Sequence, residues 1–162
     1  MKTPPFLGPD DEARVLQAIR HAETRTTGEI RVCLASQPIQ DVQAQARQAF
    51  ERLGMHQTRD RNGVLLYIAP ACRSLAILGD DAIHARCGDA FWHHIAGDLS
   101  AEFARNAVVP GLVQAITELG EVLARHFPRQ PGDTNELPDT IAHDLPANDH
   151  TPTPDRHPPQ PQ

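Results

Sequence analysis

Behind an acidic opening at Asp10, Asp11 and Glu12, the apolar residues Val15, Leu16, Ile19 and Ala22 recur at helical spacing. The pattern predicts an amphipathic helix of about four turns over "PDDEARVLQAIRHAETRT". The rhythm then changes. In "EIRVCLAS", Ile30, Val32 and Leu34 alternate with Glu29, Arg31 and Cys33, as in a strand. Helical spacing returns in "DVQAQARQAFERLG", where Val42, Ala46, Ala49, Phe50 and Leu53 form the inward stripe. Asp41 is placed to cap this helix and Gly54 to end it. "NGVLLYIA" is nearly continuous in apolar residues, the mark of a strand covered on both faces. "PACR" turns the chain and "SLAILG" returns it. A strand, a helix and a strand in parallel crossover, followed by an antiparallel hairpin, predict a mixed sheet with helices packed on it.

After Gly79, "DDAIHARCG" reads as a short helix or turn. Asp89 heads a further helix whose apolar face is Trp92, Ile95, Ala96, Leu99 and Phe103. The last helix, "VVPGLVQAITELGEVLARHF", carries a wide stripe from Val109 and Leu112 to Leu123 and Phe127. Pro110 suits its first turn, and Gly120 marks close packing on a neighbour. From Pro128 prolines multiply and large apolar residues thin out. This divides the chain into a lead (1–9), an α/β domain (10–128), an extension (129–145) and a tail (146–162) too poor in apolar residues to order itself. Within the extension, Leu137 and Ile141 of "NELPDTI" are placed to anchor it on the domain.

Composition narrows the class. With 162 residues, 40% hydrophobic and 22% charged, the chain is globular, and its net charge of −6 speaks against a nucleic-acid partner. No run approaches the roughly 20 apolar residues that span a bilayer, so membrane insertion is not expected. The first residues lack the apolar core of a signal peptide, which gives a cytoplasmic expectation. Three cysteines without CxxC spacing give neither a disulfide framework nor a zinc ribbon.

Candidate chemistry concentrates on acids. Asp60 and Asn62 precede the first hairpin strand, Asp80 and Asp81 follow the second, and an antiparallel hairpin brings those ends side by side. Asp89 begins the next helix a few residues later. Oxygen ligands converging from several loops suit a hard cation such as calcium or magnesium, although no EF-hand loop is present. The residues alone leave a second reading open, in which these acids cap helices and Asp60 pairs with Arg59 or Arg61. Glu29, at the start of the first strand, is either an edge charge or a further group in the same cleft. The histidines include no HExxH, and no nucleophile elbow, P-loop or dinucleotide motif occurs.

The order of "TTGEIRVCLAS", "FERLGMHQTRDRNGVLLYIAP", "RSLAILGDDAI" and "DAFWHHI" resembles the TPM domain family, and in particular a short bacterial branch that often carries a motif like "NELPDTI". The resemblance covers roughly Asp10 to Ile141. It implies a compact α/β sandwich: a βαββ core in a mixed sheet of about three to five strands, with helices on both faces. It also implies an acidic cleft in which some members hold calcium; Asp60, Asn62, Asp80, Asp81 and Asp89 fall there by position. Where many relatives have a glycine-rich turn after the second hairpin strand, this chain has Gly79, Asp80 and Asp81. The expectation is a non-enzymatic module that binds a cation, calcium, and a protein partner. The alternative is a metal-dependent acid phosphatase using the same cleft.

Overall fold

Pro9 opens the first helix, α1 (Pro9–Glu23). Its fixed φ suits a first turn, and Asp10, Asp11 and Glu12 face the positive end of the helix dipole. The chain is described here from a computed structural model covering residues 6–144. Strand β1 (Glu29–Ala35) is buried along its whole length, so Glu29 and Arg31 lie under cover as well as its apolar residues. Helix α2 (Val42–Arg52) starts where the Asp41 carboxylate accepts a hydrogen bond from the Ala44 amide. It is followed by Gly54 in the left-handed region, as its pattern predicts. β2 (Gly63–Ala69) and β3 (Ser74–Gly79) form the hairpin around a turn at Pro70–Cys72. Three helices follow: α3 (Asp81–Cys87), α4 (Asp89–Ala104) and α5 (Val108–His126).

The sheet has four strands in the order β3-β2-β1-β4. β1 runs parallel to β2 in the register Glu29 with Gly63 through Leu34 with Ile68, and β2 pairs antiparallel with β3 from Val64–Gly79 to Ala69–Ser74. The mixed βαββ core with helices on both faces is therefore present. The outer strand β4 (Ala142–Asp144) lies parallel to β1, pairing Cys33 with Ala142 and Ala35 with Asp144. Sequence pattern does not announce it, because three residues are too few to show an alternation.

Alternation along β1 and β2 divides the interior in two. Ile30, Val32, Leu34, Val64, Leu66 and Ile68 point to a large core shared with α1, α4 and α5, which also takes in Leu7. Cys33, Leu65 and Tyr67 point the other way. They lie under α2, whose Ala46 and Ala49 are small enough to let the helix approach closely. Leu137 and Ala142 pack against this second cluster and Ile141 against the first. Glycine marks close contact at several places, among them one between helices and one between helix and sheet. A Cβ at Gly120 would lie 2.7 Å from that of Ala22, which fixes the α1–α5 approach, and a Cβ at Gly79 would run into the Trp92 ring.

Beyond α5 the chain turns back along the start of β1. The Thr27 amide donates to the Phe127 carbonyl (3.1 Å) and the Arg129 amide to the Arg25 carbonyl (3.2 Å). The tail read from the sequence at 146–162 lies outside the described residues. Among the described residues no helix is long and apolar enough to cross a membrane.

Candidate cation site

Three segments bring carboxylates together at the N-terminal end of β1. Glu23 is the last residue of α1 and stands on its buried face with Val15, Ile19 and Ala22. Glu29 is the first residue of β1, and Asp139 comes from the extension. One oxygen from each lies within 4.8 Å of the other two. Glu23 and Glu29 are only 4% and 3% exposed.

Partners are scarce for so much charge. Both oxygens of Glu23 and Oδ1 of Asp139 are buried without a hydrogen-bond partner. Glu29 Oε1 accepts from the Glu136 amide at 2.8 Å, and Asp139 Oδ2 accepts from Asn135 Nδ2 at 2.6 Å. Burial first, and then the neighbouring carboxyls of Glu29 and Asp139, push the Glu23 carboxyl up to about 11. Burial also raises Glu29. Buried like charges without partners are costly, so such a cluster holds protons or a counter-charge.

The residues predicted from the sequence fall into separate groups. Asp60 and Asn62 lie just before β2, at the sheet end where Glu29 begins β1. Thr27 links them: its hydroxyl donates to Asp60 Oδ2 (2.8 Å) and accepts from Asn62 Nδ2 (3.0 Å). Asn62 is fully buried, and its Oδ1 has no partner. Asp60 also lies 3.5 Å from Arg59. Asp80 is held by the Arg61 guanidinium through two hydrogen bonds, Nε to Oδ2 at 2.8 Å and Nη2 to Oδ1 at 3.0 Å. It also caps α3 by accepting from the Asp81 amide. Asp81 projects into solvent with Arg61 Nη2 at 3.4 Å. Asp89 is the first residue of α4 rather than its cap, which is Gly88, and its carboxylate stands 3.6 Å from His84 Nε2. His84 Nδ1 in turn accepts from the Trp92 indole.

Sequence reasoning reached Glu29 as a possible cleft group but not Glu23 or Asp139. Glu23 had a legible signal, since it lies four residues after Ile19 on an otherwise apolar stripe. Asp139 had none beyond its place in "NELPDTI", because only the fold brings that motif back to β1.

Comparison with known proteins identifies the fold. The TPM domain profile matches residues 3–122. The chain belongs to the TPM domain family. Among solved structures, the NMR structure of BA42 from the psychrophilic bacterium Bizionia argentinensis is 36% identical with a TM-score of 0.81, covering 88% of this chain and 99% of that one. The N-terminal domain of a protein from P. gingivalis is 18% identical with a TM-score of 0.58, covering 77% and 83%, and it shares the fold alone. No curated protein matches. Glu23 and Glu29 lie inside the stretch that matches the TPM profile, and Asp139 lies beyond it.

Proposed function

We propose that this TPM domain binds a divalent cation, calcium, between Glu23, Glu29 and Asp139, and acts as a non-enzymatic module for a protein partner. The observation that carries this reading is the set of orphaned buried oxygens, two on Glu23 and one on Asp139, facing a third carboxylate within 4.8 Å. A hard cation answers both the repulsion and the missing partners. Calcium tolerates irregular coordination by six to eight oxygens. Magnesium demands a near-ideal octahedron and keeps its waters, which suits a dry cluster less well. Asp60 and Asn62 stand in an outer position, where the free Asn62 Oδ1 offers a further oxygen at the same sheet end. The cation supplies charge neutralisation and a tie between three segments distant in sequence.

Titration calorimetry on metal-stripped protein tests the reading. Calcium should bind at one site with release of protons, and Glu29→Gln should abolish the heat while leaving the fold intact. No heat with calcium, magnesium or manganese would overturn it. Phosphate release assayed on the same sample separates the phosphatase alternative: cation-dependent turnover lost in Glu29→Gln would make the domain a hydrolase.

A further inference from the structure

The third carboxylate of the candidate site rides on a segment that the rest of the domain holds by few, separate anchors. Arg129 donates to the Glu23 carbonyl at 3.0 Å. Glu136 joins Glu29 through its amide and accepts from the Arg59 amide at 3.0 Å. Leu137 rests on the second apolar cluster. At the far end, Asp144 accepts from the Tyr67 hydroxyl and from Arg52, both at 2.6 Å, and its carbonyl accepts from the Ser36 hydroxyl at 2.7 Å. Between these anchors the backbone pairs with β1 over three residues only.

We propose that residues Arg129–Asp144 form a strap fastened by the cation, and that its release opens the β1 edge to an extended peptide of a partner protein. The inference rests on the cation site above. Two of that site's ligands belong to the body of the domain, Glu23 on α1 and Glu29 on β1, and only Asp139 belongs to the strap. A bound cation therefore ties strap to body. An empty site removes that tie, and only protons shared among the three carboxyls are left to offset their charge.

Release would uncover three features together. The β1 edge would lose β4 and present unpaired amides and carbonyls, a template for a further strand. The place of Leu137 on the second apolar cluster would open. Arg52 and the Tyr67 hydroxyl would lose their carboxylate. The chemistry of the occupant follows from what the strap itself offers: an extended segment with a leucine, an alanine paired with β1, and an aspartate at the distance that separates Leu137 from Asp144. The strap lies beyond residues 3–122, the stretch that matches the family profile.

Hydrogen exchange on the full chain, in chelator and in saturating calcium, tests the fastening. The Ser36 amide, which donates to the Asp144 carbonyl at 3.3 Å, and the amides of 136–144 should exchange at least about tenfold faster in chelator, with β2 amides unchanged. Asp139→Asn should exchange fast even in calcium. Because Asp139 is partly exposed and off the regular elements, this variant should fold as the wild type does. Calcium heat in calorimetry with identical strap exchange in both conditions overturns the strap and leaves the cation reading standing. Absent heat overturns both. A fluorescent peptide of residues 134–144 should bind in chelator and be displaced by calcium; binding that ignores calcium, or no binding, overturns the open edge.

Discussion

Two groups of acids differ in how far their charge has been answered. At the outer end of the hairpin, Asp80 sits in the fork of Arg61 and caps α3, while Asp81 and Asp89 reach water. At the start of β1, Glu23, Glu29 and Asp139 are packed together with three orphaned oxygens and no cation side chain among their hydrogen-bond partners. The first group is a solved electrostatic problem and the second an open one. Adjacency of acids along a chain says little about ligation; burial without partners says much more.

The largest effect should come from closing the open problem. At about 100 times its dissociation constant, calcium should add about 2.7 kcal/mol of stability to the wild-type domain. Glu23→Gln should keep the fold and lose most of that gain, since one ligand carboxylate is gone. Urea melts with and without calcium measure both. An undiminished gain in Glu23→Gln would place the ion elsewhere and dissolve the contrast between the two groups.

Asp144, at the far end of the strap, belongs with the answered acids. Burial, then its hydrogen bond and its charge, hold the Tyr67 phenol well above its usual range. The unfolded chain loses that proton near pH 10, whereas the folded domain keeps it. The contribution is thus complete below about pH 10 and declines as pH rises above it. Tyr67 is the one tyrosine of the chain, so absorbance near 295 nm reports it alone. Asp144→Asn should lower the midpoint without restoring the ordinary value, because burial is the larger cause. An ordinary midpoint in the wild type would mean that the strap end is loose. Tyr67→Phe, which removes one hydrogen bond, should cost about 1 kcal/mol.

How much of this was legible follows from range. α1, β1, α2, the hairpin, α4 and α5 were written in local periodicity, and the Asp41 and Gly54 ends of α2 in local chemistry. The joining of the two hairpin ends was legible too, since the Asp80 amide does donate to the Gly63 carbonyl at 2.9 Å. What the pattern could not supply was the partner of each charge. That Arg61, in a left-handed conformation, turns to grip Asp80 is a loop property. That Asp139 returns to Glu23 is a contact across most of the chain. β4 was hidden for the same reason: it exists because β1 has an edge to cover, not because three residues favour a strand.

The smaller effects sharpen the contrast from the answered side. Asp80→Ala removes a cap and a buried acceptor and should cost about 1 kcal/mol from the cap alone. That cost should be the same in chelator and in calcium. Asp81→Asn should change stability by less than about 0.5 kcal/mol. Its side chain is 91% exposed, and the guanidinium 3.4 Å away is already committed to Asp80 by two shorter hydrogen bonds. Salt screens what attraction remains. The useful quantity in this variant is therefore the calcium gain, which should equal that of the wild type. If Asp81→Asn instead lost the gain while Glu23→Gln kept it, the ion would lie at the hairpin end, where the sequence pattern first put it. The buried carboxyls at β1 would then be a proton-sharing cluster rather than a ligand set.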